Sequence, residues 1–136
     1  MTVSRPMNVF DIAGRAMSAQ LVRLNTTASN LANAGSISST KEGAFRALKP
    51  VFETVGGGPG LATVNVSQVV QAGVDPVKRH EPGHPLADAN GDVWEAGVDT
   101  SAELIDMVES ARQYQNNVQV LQTAKTLTLD TLRLGQ

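Results

Sequence analysis

The stretch from Thr100 to Gln136 constrains the fold most, because it runs from a helix-start signal to Leu134-Gly135-Gln136 with no interior Gly or Pro. Thr100 with Glu103 three residues on has the form of a capping box, in which each side chain satisfies a backbone N–H at the helix entrance. Gly135 suits a left-handed C-terminal cap. Between these limits Leu104, Met107, Ala111, Tyr114, Val118 and Leu121 alternate spacings of three and four, the pattern of a coiled-coil seam. A second seam takes over further on, through Val120, Ala124, Leu127, Thr131 and Leu134. Two seams on one helix ask for two partners. Such a helix would be roughly 52 Å long at ~1.5 Å per residue. A compact domain of this length has a radius of gyration near ~14 Å, so its own chain cannot wrap the helix and other subunits are expected to cover part of it.

A second long helical pattern opens the chain. Asn8 followed by Asp11 is one cap, and Ser4 with Pro6 an alternative start one turn earlier. Phe10, Gly14, Met17, Leu21, Leu24, Ala28 and Leu31 then keep four-three spacing. An isolated stripe of this length reads first as an amphipathic helix on a globular core. The matching seam at the far end of the sequence favours an antiparallel coiled-coil pair instead. Charge agrees: residues 1–34 carry Arg5, Arg15 and Arg23 against Asp11, whereas residues 99–136 carry five acids against Arg112, Lys125 and Arg133.

Between Gly35 and Val98 lie ten of the twelve glycines and five of the six prolines, a composition neither helix could tolerate. Residues 35–43 read as a flexible loop. Phe45 to Val55 and Leu61 to Val70 flank Gly56-Gly57-Gly58-Pro59-Gly60, and the second run is rich in β-branched residues, so a hairpin is expected. The piece near Val74 to His80 is confined to a sheet edge by Pro76 and Pro82. Asn90-Gly91 signals a type I′ turn leading into Val93 and Trp94, and Trp94, the only Trp, is the expected core anchor. The fold class is therefore α+β: a helix at 1–34, a small hairpin-rich β module at 35–98, and a helix at 99–136.

The chemistry-bearing residues make no complete site. The glycine cluster at 56–60 lacks the Gly-Lys-Ser/Thr sequel of a phosphate-cradling loop. His80 and His84 have zinc-pair spacing, but Pro82, Gly83 and Pro85 forbid the helix it needs. Asp88, Asn90 and Asp92 resemble the start of a calcium loop, with Val93 where that loop needs Gly. No catalytic set, metal or cofactor is expected. A net charge of −2 argues against a nucleic-acid partner. No apolar run is long enough to span a bilayer, and Cys is absent. The N-terminus lacks an apolar signal segment, which by itself points to the cytoplasm. On this ground alone a self-assembling scaffold competes with a cytoplasmic coiled-coil adaptor or regulator.

Several stretches resemble the FlgC family of flagellar proximal-rod proteins. Phe10-Asp11-Ile12-Ala13-Gly14 is similar to its N-terminal signature, and Ala28-Ser29-Asn30-Leu31-Ala32-Asn33-Ala34 to the Asn-rich motif of bacterial axial proteins. Glu81 to Gly91, with Pro85 and Asp88, resembles a more specific family segment. So does Ser110 to Val118, with Arg112 and Gln115, and the ending Thr131 to Gln136 also fits. Asn116 and Asp92 depart from the residues common at those points. The resemblance spans nearly the whole chain. It implies a non-enzymatic component of the basal-body rod, with the terminal helices packed in the shaft and carrying torque from motor to hook and filament. It implies a periplasmic location, reached by flagellar type III export without a cleaved signal peptide, which revises the cytoplasmic expectation. It also implies other rod proteins (FlgB, FlgF, FlgG), FliE, the export apparatus and further copies of the chain as partners. The seam residues Phe10, Met17, Leu21, Leu24, Ala28, Leu31, Leu104, Met107, Tyr114, Val118, Leu121, Leu127 and Leu134 are the expected subunit contacts.

Overall fold

The computed structural model describes residues 8–58 and 61–135. The alternative helix start at Ser4 and Pro6, the charge of Arg5, the Pro59-Gly60 part of the glycine loop, and Gln136 lie outside these residues. The first helix, α1, is Val9–Ala32. Asn8 and Asp11 form a reciprocal cap: the Asp11 amide donates to Asn8 Oδ1 at 3.0 Å and the Asn8 amide to Asp11 Oδ2 at 3.1 Å. The second, α2, is the 35-residue helix Thr100–Leu134. Its cap differs from expectation by one residue. Asp99, not Thr100, accepts the Ala102 amide at 3.1 Å. Glu103 is thereby free of the capping role, and it points into the protein. Gly135 ends α2 at φ −83°, so the closing turn is not left-handed, and its amide donates to Thr131 O.

Among the described residues five strands lie between the helices: β1 Ile37–Ser38, β2 Leu48–Gly58, β3 Leu61–Gln71, β4 Val77–His80 and β5 Asp92–Glu95. β2 and β3 form a two-stranded antiparallel hairpin, with register shifts at Val51/Phe52 and Gly56/Gly58. The expected glycine loop is shorter than its composition suggests, because Gly56–Gly58 continue β2. Gly58, at φ 123°, takes a conformation that L side chains rarely adopt. β3 carries no charged residue and no proline, whereas β2 carries Lys49, Pro50 and Glu53. The other sheet has the order β1-β5-β4, with all neighbours antiparallel. Its β4 edge is where Pro76 and Pro82 confine it. Part of the stretch expected to be flexible, Ile37–Ser38, pairs with Glu95 and Trp94.

The turn before β5 is built differently from a type I′ turn. Only glycines have positive φ among the described residues, so Asn90 does not take the left-handed conformation that turn demands, while Gly91 does at φ 78°. Asp88 does the pinning instead: its Oδ1 accepts the amides of Asn90 at 2.8 Å and Asp92 at 2.9 Å. Val93 is the side chain fully enclosed here. Trp94 is half-buried, with the Lys41 ammonium 5.9 Å from its ring centroid.

Backbones from both sheets meet at Gly97. Its amide donates to Phe45 O at 2.7 Å and its carbonyl accepts the Ala47 amide at 3.1 Å, while the Ala47 carbonyl accepts the Ala72 amide at 3.0 Å. Three chain segments cross so closely that a Cβ on Gly73 would lie 2.5 Å from Gly97 O, and one on Gly97 would overlap Val74 O. The buried apolar side chains are small. Ala13, Ala19, Ala44, Ala47 and Ala96 accompany Val93 in the interior.

α1 is packed on two sides, by α2 and by the β2–β3 hairpin. This explains why its buried positions do not follow one heptad seam. Ala13, Ala19, Thr26, Thr27 and Asn30 are buried, whereas Phe10, Leu21 and Ala28 are exposed and Met17, Leu24 and Leu31 half-buried. The resulting class is α+β, two helices with small antiparallel sheets.

Candidate assembly site

The site has two parts, a buried polar cluster where three elements meet and the uncovered faces of α2. Asn30, near the end of α1, is fully buried. Its amide works as both donor and acceptor: Nδ2 donates to Leu48 O at 2.9 Å while Oδ1 accepts the Leu48 amide at 2.8 Å. Leu48 is the first residue of β2, so Asn30 completes the backbone of the strand at its base. The same Nδ2 donates to Glu103 Oε2 at 3.0 Å. Glu103, 2% exposed, is a carboxylate one turn into α2 that would be costly to enclose without partners. Lys49 supplies one, with Nζ 2.8 Å from Glu103 Oε1 and 3.0 Å from Asp106 Oδ2. Arg23 closes the cluster from α1, 3.0 Å from Asp106 Oδ1 and 3.6 Å from Glu109.

The electrostatics follow from this packing. Burial by itself would raise the Asp106 carboxyl, but hydrogen bonds from Lys49 and Arg23 outweigh it and hold it below the usual carboxylate range. Burial likewise works against the charge of Lys49, yet the two carboxylates it bonds raise its pKa above the ordinary value. Farther off, Asp92 is held low chiefly by its hydrogen bond with His80 at 2.8 Å, and then by Lys78 at 3.1 Å. Through these contacts Asp92 joins β4 to β5.

Along α2, Met107, Tyr114, Val118 and Leu121 are half-buried. Leu104, counted on the same seam, is instead 51% exposed and lines a shallow groove with Ile105, Val108, Glu109 and Arg112. Leu127, at 62%, and Leu134, at 88%, stand in solvent. A second apolar groove runs along Val120, Ala124, Leu127 and Thr128, with Val9 of α1 on its wall. α2 then continues past Thr128 with Leu129 and Leu132 also exposed.

The remaining motif residues divide between packing and surface. Asn33 closes α1 by donating its Nδ2 to Ser29 O at 2.8 Å and accepting at its carbonyl from Ser36 Oγ. Asp88 holds the turn before β5, while Pro85 is exposed in the preceding loop. Arg112 and Gln115 are exposed on α2. His84 Nδ1 accepts the Leu86 amide at 3.0 Å. Among the described residues no three His, Cys, Asp or Glu side chains cluster as a metal site would need, and no helix is long and apolar enough to cross a membrane.

Sequence reasoning missed Glu103 and Lys49 as a pair. The available signal was an acid at a position of α2 that the apolar pattern leaves inward, with a lysine at the start of a strand. The capping-box reading of Glu103 concealed it.

Comparison with known proteins gives these features a context. Residues 10–34 match the family described as "Flagella basal body rod protein", and residues 89–134 the one described as "Flagellar basal body rod FlgEFG protein C-terminal". The chain is 46% identical over 132 residues to the "Flagellar basal-body rod protein FlgC" of Salmonella typhimurium, covering 96% of this chain and 98% of the relative. It is equally similar to that of Escherichia coli O6:H1, and 35% identical over 123 residues to that of Aquifex aeolicus, with 88% and 90% covered. The first matched segment holds Asn30 and Asn33, the second all of α2, and identity at this level extends along the whole chain between them: the protein belongs to the FlgC family of flagellar basal-body rod proteins.

Proposed function

We propose that this chain is a structural subunit of the flagellar rod that self-assembles through its terminal helices and carries torque from the motor toward hook and filament. The observation that carries the reading is the uncovered apolar side of α2, from Leu104, Ile105 and Val108 to Leu127, Leu132 and Leu134. Exposing so many large apolar side chains along one 35-residue helix is costly in a free subunit and sensible in a shaft of packed helices. In this reading residues 1–34 and 99–136 form an antiparallel coiled-coil pair in the rod core, and the module at 35–98 lies outside it. The order of contacts supports the antiparallel sense, since Asn30 meets Glu103 whereas the earlier Arg23 meets the later Asp106 and Glu109. Assembly is heterologous and open-ended, one surface docking on a different surface of the next subunit. FlgB, FlgF, FlgG and FliE are the partners the family relationship suggests. The subunit works in the periplasmic rod, which it reaches through the flagellar type III apparatus.

The experiment is recovery of a tagged chain in purified basal bodies stripped of filament and hook. Retention at a fixed ratio to the other rod proteins supports the reading. A tag recovered only in the soluble cytoplasmic fraction of motile cells, where the tagged chain is the sole copy, overturns it.

A further inference from the structure

We infer that the Asn30–Glu103–Lys49 cluster is a register lock, setting how far α2 projects past the start of α1. The apolar contacts between these helices cannot do this alone. The apolar residues that α1 encloses wholly or in part, among them Ala13, Met17, Leu24 and Leu31, are small or flexible, and apolar contact has no direction, so a slip of one turn, about 5.4 Å, would exchange one such neighbour for another. The polar groups have no such freedom. If α2 slipped by one turn, Met107 or Asp99 would stand where Glu103 stands. Met107 accepts no comparable hydrogen bond from Asn30 Nδ2 and offers no charge to Lys49. Asp99 is the cap of α2, and turning its carboxylate toward Asn30 and Lys49 would take it from the Ala102 amide.

Arg23 adds a second check, because a slip in the first sense would replace Asp106 opposite it with the hydroxyl of Ser110. Asn30 also holds both backbone groups of Leu48, so the helix pair and the hairpin base are fixed to one point. A buried polar residue that specifies register at the expense of apolar packing is the best-attested use of such groups. The projecting end carries Leu127, Leu129, Leu132 and Leu134, so the lock determines where those side chains lie. The inference stands apart from the rod reading and can fail independently of it.

The chain has no cysteine, so register can be read by disulfide cross-linking of the purified full-length protein. Val9→Cys is combined in turn with Val120→Cys, Ala124→Cys and Thr128→Cys, positions on successive turns of the groove that Val9 borders. In an otherwise unaltered chain one pair should cross-link about tenfold faster than the others, and with Asn30→Leu plus Glu103→Leu the three rates should converge to within about twofold as register becomes degenerate. Lys49→Met, which leaves Asn30 and Glu103 bonded to each other, should narrow the preference without abolishing it. Helical content is followed by circular dichroism in the same samples, since a register lock moves helices that remain formed. Equal rates in the unaltered chain, an undiminished preference in the double variant, or loss of helicity in Lys49→Met as well would each overturn the inference.

Discussion

Gly97→Ala is the substitution whose cost can be worked most directly from the structure. The added Cβ would overlap the Val74 carbonyl oxygen and approach the Asp75 carbonyl carbon and Pro76 nitrogen at 3.2 Å each. All three are backbone atoms, so no side-chain rotation relieves the clash and one of the crossing segments must move. Gly97 is tied to Phe45 O at 2.7 Å and to the Ala47 amide at 3.1 Å, and moving it away from Val74 stretches or breaks both bonds. Each buried backbone group left without a partner costs roughly 1–3 kcal/mol, so the pair gives a loss of about 2–6 kcal/mol. Against a total stability of roughly 5–15 kcal/mol this is a large fraction. It corresponds to a fall in Tm of about 8–24 °C for a domain of this size. Trp94, the only Trp and three residues before Gly97, reports the transition by its fluorescence. Gly83→Ala is the control, because nothing lies within 4 Å of its added Cβ. A Gly97→Ala protein melting within two degrees or so of the Gly83→Ala protein would refute the close-crossing argument.

Four further outcomes can be checked together. Asp92 and Asp106 have pKa values lowered by folding, so their contribution is present above the ordinary carboxylate pKa and is lost as pH falls through the depressed folded value. Stability measured by denaturant titration should therefore drop as pH falls below the ordinary carboxylate range, and Asp106→Asn should flatten that limb; an unchanged slope counts against the cluster. Lys49 has the opposite sign: its raised pKa gives stability that is present below the ordinary Lys value and fades as pH rises through the folded one, so Lys49→Met should remove part of the alkaline loss. Leu127→Ala, at an exposed position, should change the stability of the isolated chain by no more than about 0.5 kcal/mol while sharply reducing its recovery in rods, and normal motility in that strain would count against the second α2 face as a contact surface. In amide exchange of a dilute monomer, residues around Arg23–Leu31 and Glu103–Ser110 should be protected longer than 125–134, because only the former are held by the polar cluster; uniform slow exchange along α2 contradicts this.

Much of the architecture was legible because its signals are local. The Asn8–Asp11 cap, the uninterrupted run after Thr100, the β-branched alternation of β3 and the prolines beside β4 each act within a few residues. The failures lie where a distant partner decides. Glu103 has the spacing of a capping-box residue, yet Asn30 and Lys49, 73 and 54 positions away, claim its carboxylate and leave capping to Asp99. The heptad reading of α1 assumed one partner, whereas the hairpin supplies a second, and the buried positions Ala13, Ala19, Thr26, Thr27 and Asn30 follow no single seam. Trp94 was the conspicuous residue of its strand, but pairing β5 on both sides encloses Val93 instead. Gly97 carried no signal at all, since the close approach that requires it involves Val74 and Phe45 rather than its neighbours in sequence.

The uncharged strand β3 has a bearing on the life of the subunit before it reaches any assembly. Strand β2 forms the other side of its hairpin with Lys49, Pro50 and Glu53, residues that discourage a further strand from adding beside it. The eleven residues Leu61–Gln71 contain none of these safeguards, and among the described residues no strand other than β2 pairs with them. Such an edge is a template on which any extended neutral peptide, including a second β3, can grow. Its hazard scales with concentration and waiting time. A cell making this chain therefore does best to keep the free pool small and short-lived, and the same property tells an experimenter to hold stocks dilute and cold.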